Sequence, residues 1–325
     1  MTHKRQSYLA MALDPIHVGT GEFQLGRVDN TIVREAGTNL PKIPGSSIAG
    51  VTRAYTAMQE TGKYLTADGK SCAGKGGDDG ANHCCRFDCP VCTTFGFSKK
   101  GASFQGLAQF SDARVLFFPV YSSLGPVWVT SPSALEAAGF PELKPHSWAA
   151  WDGRLTNGAN NYALILRANP PDHINLGWLY LPKYSQNPPI DVRTGSFAPK
   201  VQPVQTILTR LVMVSDARFS TILNDQLEVR TSVSINPATG AAEEGALFTS
   251  EAIPRSTVLH FQVTALNPAF FKVPDGNGAG AVMTKTMEIV HQDVWRGLDL
   301  IQHLGIGGVN TRGMGRLQVF PAIGE

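Results

Sequence analysis

Two stretches near opposite ends of the chain carry apolar residues at helical spacing, and the segments around them restrict the fold. In IPGSSIAGVTRAYTAMQETG, Ile48, Val51, Tyr55 and Met58 fall on one face, the mark of a helix packed by one side. Ser46 or Ser47 stands where it can cap the start, and Gly62 where it can close the end. Val290, Val294, Leu298 and Ile301 form the second stripe. Strand-like segments surround both. Ser7 to Leu13 precedes the first helix; Gly106 to Val120, Val127 to Thr130, Arg210 to Ser215 and Thr257 to Leu266 lie between the two; Leu317 and Val319 follow the second. Strand, helix, strands, helix, strand is the ferredoxin-like (RRM-like) order of an α+β fold.

That frame does not use up 325 residues, of which 42% are hydrophobic and 17% charged, a composition able to bury a core. The remainder reads as insertions into a single domain spanning 1–325. Residues 64–104 are polar, Gly-rich and Cys-rich, with too few apolar side chains to fold without a cross-link. Residues 139–204 hold many Pro, Asn and Gly residues and no sustained period, so an irregular insertion is expected there. Within 227–254, Leu227 to Ile235 and Ala246 to Thr249 flank the turn Asn-Pro-Ala-Thr-Gly, which predicts a protruding hairpin.

All five cysteines fall between Cys72 and Cys92, an odd and clustered set unlike the disulfide framework of a secreted chain. A structural zinc is the expected cofactor. Cys89 and Cys92 form a tight CxxC knuckle. We assign His83 and Cys85 to complete the tetrahedral set, with Cys84 and Cys72 as alternatives. Four protein ligands leave no open position for water, so this metal is expected to fold the insertion rather than to catalyse.

The N-terminus has no apolar run long enough for a signal peptide or membrane span. A cytoplasmic protein is expected. The formal net charge of +2 excludes a chain that coats nucleic acid by bulk electrostatics, so any RNA must be held in local grooves. The loop GIGGVNTRGMG offers one. Gly305, Gly307, Gly308, Gly313 and Gly315 permit close backbone approach, with Arg312 and Arg316 supplying charge. Because it follows a helix and opens a strand, it is not a dinucleotide or nucleoside-triphosphate loop. The Gly-Lys-Ser at Gly69 is no P-loop either, since Tyr64 stands where the upstream glycine is required.

IHVGTGEFQLGRVDNTIVRE, IPGSSIAGVTR, DCPVCTTFG, FFPVYSSLGPVWVTSPSAL, LVMVSDARF, GALFTSEAIP and GIGGVNTRGMGR occur in this order. Together they resemble the RAMP proteins that form the filament of type III CRISPR effectors. The resemblance runs from Tyr8 to Phe320. WVTSPSAL and GALFTSEAIP are more similar to the type III-B (Cmr) backbone subunit than to its type III-A (Csm) counterpart.

The resemblance implies a ferredoxin-like palm with a thumb hairpin over 227–254, stacked head to tail along a crRNA with other Cmr-complex subunits. It implies that target RNA is cleaved at regular intervals, and that Asp29, in GRVDNTIVRE, is the acid that promotes cleavage. The chemistry is reasonable from the residues alone. RNA carries its own nucleophile in the 2′-hydroxyl, so a protein has mainly to impose in-line geometry beside a carboxylate. That carboxylate can accept the proton or hold a divalent ion, Mg or Mn, the second cofactor expected. The crRNA seat combines Gly307, Gly308, Arg312 and Arg316 with the start of the first helix, where Lys42, Ser46, Ser47 and Arg53 stand beside free N–H groups. His17 is read as a structural histidine rather than a catalytic partner of Asp29. Two positions depart from the family pattern: Ala49 replaces a lysine, and Ser232 stands where arginine is common, with Arg230 two positions away. Other readings are a non-catalytic crRNA-binding filament subunit, a type III-A subunit, and a standalone crRNA-processing endonuclease.

Overall fold

In the computed structural model the described residues are 1–21, 28–60, 64, 71–74, 83–140, 146–157, 160–167, 169–185, 202–273, 281–282 and 285–322. The Gly69 position and parts of the 64–104 and 139–204 insertions lie outside them. The strands used below are β1 His3–Ala12, β2 Ala113–Ser122, β3 Gly125–Thr130, β4 Leu164–Ile165, β5 Leu211–Met213, β6 Glu228–Ile235, β7 Ala242–Ala252, β8 Val258–Leu266 and β9 Leu317–Pro321. The helices are α1 Gly45–Gln59, α2 Pro90–Phe95, α3 Asp216–Asp225 and α4 Met287–Leu304.

The main sheet runs β4-β5-β3-β2-β8-β1-β9, with short strands Lys42–Ile43 and Ala108–Phe110 added to β2 and β8. Its centre, β2-β8-β1-β9, is antiparallel throughout. Counted among themselves these are the second, third, first and fourth strands of the frame, which is the ferredoxin-like arrangement expected from the sequence.

Alternation along the strands divides the core. Tyr8, Ala10 and Ala12 point to one face, where Ile48 and Tyr55 of α1 and Val294, Leu298 and Ile301 of α4 cover them. Leu9 points to the other, where Leu135, Trp148, Trp151, Leu155, Ile207 and Leu208 form a second core. On β2, Val258 pairs with Phe117 and Leu259 with Val115, leaving Leu116 unopposed. This bulge lets Leu116 and Phe117 both enter the second core.

α1 and α4 pack antiparallel and very close. A Cβ on Gly297 would lie 2.2 Å from the Thr52 carbonyl oxygen, so only glycine fits where the helices touch. The expected serine cap of α1 is not observed. The helix begins at Gly45 after Pro44, without a side-chain cap of its own, and Ser46 and Ser47 lie inside its first turn. Asp112 does the capping instead, its Oδ1 accepting the Gly45 N–H at 2.8 Å. The 139–204 region is more regular than its composition suggests: Trp148–Leu155 is a helix capped by Ser147 and buries Trp148, Trp151 and Leu155.

Candidate functional site

β1 ends where β9 begins, with Ala12 opposite Leu317. The loop after β1 and the glycine loop before β9 therefore leave the sheet side by side. The Leu13 N–H donates to the Arg316 carbonyl, Gly315 to Pro15 and Gly308 to His17, each at 2.9 Å. Positive φ at Gly305, Gly307, Gly313 and Gly315 makes this path possible. At Gly307 a Cβ would fall 2.2 Å from the His17 carbonyl oxygen.

β6 and β7 form a two-stranded hairpin, Val233 opposite Leu247 and Thr231 opposite Thr249. Its base joins the same end of the sheet through the bridge between Ile16 and Ile253. His17 binds the two parts together: it is buried, its Nδ1 lies 2.6 Å from the Glu251 carbonyl oxygen, and its own carbonyl accepts from Gly308. The guanidinium of Arg312 lies over the Phe248 ring, and Arg230 Nη1 donates to the Gly313 carbonyl at 3.2 Å. Hairpin and glycine loop thus touch directly.

Asp29 sits on the free edge of β7. The Thr249 N–H and hydroxyl both donate to its Oδ2, at 2.7 and 2.9 Å, while the Asp29 N–H donates to Thr249 Oγ1 at 3.0 Å. Bonds to the charged form, the Thr249 N–H first and its hydroxyl second, hold the Asp29 carboxyl below its ordinary range. It is a carboxylate at neutral pH. The segment continues along β7: Asn30 N–H donates to the Thr249 carbonyl at 3.0 Å and Glu251 N–H to the Asn30 carbonyl at 3.0 Å. Glu251 is buried and closes the clamp with an ion pair to Arg34 at 2.6 Å and a bond from the Ile32 N–H at 3.2 Å. Thr249 and Glu251 lie more than two hundred residues from the loop they hold. Their role is missed by any reading of local spacing.

The residues expected to grip RNA fall into two groups. Ser46, Gly307, Gly308 and Arg312 are exposed, and Ser47 is half-buried in the first turn of α1. The rest are engaged elsewhere. Lys42 pairs with Asp112 at 2.6 Å, and Arg316 makes a two-pronged pair with Asp14. Arg53 does not reach outward from α1: its Nε donates to the Cys72 carbonyl at 2.7 Å, and Nη2 lies 3.3 Å from His83 Nδ1. The Gly308 N–H is also taken, by His17.

The cysteine cluster is real, but its membership differs from the expected set. Cys72, Cys84, Cys89 and Cys92 bring their sulfurs within 4.8 Å of one another, a group that could hold a metal ion. Cys84 to Cys92 is 3.7 Å and Cys92 to Cys72 is 3.6 Å. Four sulfurs around zinc at about 2.3 Å would stand about 3.8 Å apart, so the set fits a tetrahedral ion. Cys85 lies outside that group: its backbone is at φ 52°, and its Sγ meets the His83 carbonyl at 3.4 Å. His83 is buried against Arg53 and Phe97 instead. Burial first, and then Arg53, push its pKa down.

Ionisation within the cluster is divided. Thiol hydrogen bonds from Cys72, Cys89 and Cys92 drive the Cys84 pKa far down, while those of Cys89 and Cys92 are driven up. Two basic groups stand near. Beside Arg53, Lys285 is buried in an ion pair with Asp293 and bonds to the hydroxyls of Thr93 and Thr94 at 2.9 and 2.7 Å. It ties α2, which carries Cys92, to α4.

No helix among the described residues is long and apolar enough to cross a membrane. A family model described as RAMPs, the RAMP superfamily, matches residues 10–318. The chain is 27% identical over 265 residues to the CRISPR system Cmr endoribonuclease Cmr4 of Pyrococcus furiosus, covering 76% of this chain and 77% of that one. Its fold is similar to a chain of the type III-B Cmr-beta complex bound to cognate target RNA, at TM-score 0.63 and 14% identity over 99% and 98% of the two chains. It is also similar to oligomeric Cmr4 from Pyrococcus furiosus, at TM-score 0.57 and 19% identity over 98% of each.

Proposed function

This chain belongs to the RAMP superfamily, and from that premise we propose that it is the crRNA-binding backbone subunit of a type III-B CRISPR effector that cleaves complementary target RNA. In this reading copies of the chain stack along a crRNA in the cytoplasm, with other Cmr-complex subunits at the ends. The Cmr4 relative, named as an endoribonuclease, and the RNA-bound and oligomeric fold relatives support it.

One observation carries the catalytic part: an ionised carboxylate, Asp29, is tied to the hairpin at the end of the sheet where the glycine loop also emerges. Both Thr249 donors fall on Oδ2 and leave Oδ1 outside this pair of bonds. The hairpin, acting as thumb, interrupts the guide-target duplex and unstacks a nucleotide. Once unstacked, the ribose can bring its 2′-hydroxyl in line with the scissile phosphate, and Oδ1 is placed to accept the proton. The 2′-oxygen bonds to phosphorus as the 5′-oxygen leaves, giving a 2′,3′-cyclic phosphate. DNA lacks the nucleophile and is spared. In the alternative role Asp29 would hold a divalent ion, Mg or Mn, that offsets charge on the phosphate. Ser46, Ser47, Gly307 and Arg312 hold the guide backbone; Lys42, Arg53 and Arg316 shape the seat through their pairs.

Zinc is the metal proposed for the four cysteines, since an all-thiolate tetrahedron suits it and leaves no catalytic position. Bound to four thiolates it carries net negative charge, which Arg53 and Lys285 offset.

The test is a reconstituted complex given complementary RNA labelled at one end. Evenly spaced products ending in cyclic phosphate are expected, and Asp29→Ala should abolish them with RNA binding retained. Undiminished cleavage by Asp29→Ala would remove the carboxylate from the mechanism.

A further inference from the structure

Asp29 is held by an element far from it in sequence. It lies in the segment between β1 and α1, and what fixes it is the edge of β7. The side chain receives two bonds from one residue, and the Thr249 hydroxyl also accepts from the Asp29 N–H. A threonine is well suited to this: its hydroxyl takes one proton and gives one, closing a ring that sets both the backbone and the carboxyl torsion of Asp29. Asn30 then adds its N–H and its side-chain amide to the Thr249 carbonyl, at 3.0 and 3.2 Å. Asn30 thus forms a parallel bridge with Ser250 on the edge of the hairpin.

We propose that Thr249 is the positioning residue of the cleavage site, anchoring Asp29 Oδ2 to the hairpin so that Oδ1 is delivered to the ribose by the same element that separates the duplex. The proposal rests on the reading of Asp29 as the cleaving acid and says what that reading leaves open: how the acid is aimed. It couples two events. Where the hairpin is seated in the duplex the carboxylate is in place, and where it is not, Asp29 is withdrawn with it.

On the packed elements Arg34 pairs with Glu251 and Arg230 with Glu228, and the Arg312 guanidinium lies over the Phe248 ring. Thr249 is therefore the residue whose removal should be felt at Asp29.

The test compares assembled complexes carrying wild-type chain, Thr249→Val, Thr249→Ser, Thr249→Ala and Asp29→Ala, in single-turnover cleavage with target RNA saturating. Val keeps the shape and strand preference of Thr and loses the hydroxyl. We expect Thr249→Val and Thr249→Ala to cut on the order of 10- to 100-fold more slowly, as for a misplaced catalytic group. Target affinity and product spacing should be unchanged, the acid limb of the rate profile should move to higher pH, and Thr249→Ser should restore both. If Asp29→Ala is inactive while Thr249→Val cuts at the wild-type rate with an unmoved acid limb, the positioning role is wrong and the reading of Asp29 stands. If Thr249→Val and Thr249→Ala lose assembly or RNA affinity together with cleavage, the residue is structural and the proposal falls. If Asp29→Ala cuts normally, the underlying reading falls first.

Discussion

A difference of one backbone torsion separates Cys84 from Cys85. Neighbours in sequence offer the same sulfur, and spacing from Cys89 and Cys92 does not choose between them; the structure groups Cys84 with the other sulfurs and leaves Cys85, at a left-handed φ of 52°, outside. The outcome is testable by metal content. Cys85→Ser should keep one metal per chain by elemental analysis, whereas Cys72→Ser or Cys84→Ser should lose it and expose the α2 region to proteolysis. Equal metal loss from Cys85→Ser would contradict the geometry. The same limit applied to the basic residues. Lys42, Arg53 and Arg316 were visible as charges beside a helix start and a glycine loop, but Asp112, the Cys72 carbonyl and Asp14, which take them up, are distant or unremarkable in sequence. Asp29 was legible through its resemblance to a family motif. Thr249, which holds it, carries no local signal.

Among elements, α1 and α4 were readable because their apolar stripes have a single period, and the sheet order followed from the strands around them. What escaped was capping and contact. Asp112 lies just before β2, yet it caps α1 and pairs with Lys42. Burial pushes its pKa up, but Lys42 and the Gly45 N–H outweigh this and leave it lowered. Asp14 is lowered by Arg316. A folded value below the unfolded one gives stability that is present above the ordinary value of 3.8 and lost as pH falls through the folded value. Both groups are largely solvent-screened, so each should contribute no more than about 1 kcal/mol. Asp112→Ala, which also removes the cap, should cost about 1 kcal/mol in urea denaturation at pH 7 and less at pH 3. Gly297→Val should cost more, about 1–3 kcal/mol, because the side chain has to displace α1 backbone at Thr52. The helix Trp148–Leu155 was passed over as irregular because masking by nearby Pro and Gly hid a short stripe, Trp148, Trp151 and Leu155, preceded by the capping Ser147.

Over the whole molecule, the ferredoxin-like frame puts both β1 and β9 connections at one end of the sheet, and the hairpin base is pinned there too. The second face is covered by Leu135, Trp148, Trp151, Leu155, Ile207 and Leu208, which form a core of their own. In the proposed reading the sheet end, rather than this covered face, is left for RNA. His17 joins the parts at that end. His17→Ala would leave the Glu251 carbonyl without its partner and should cost about 1–2 kcal/mol in urea denaturation. Little or no change would mean that water replaces the ring.

That imidazole behaves as a keystone between two arms of an arch. The backbone carbonyl of His17 supports the glycine loop and its ring supports the hairpin, so a displacement of the first arm reaches the second through one residue.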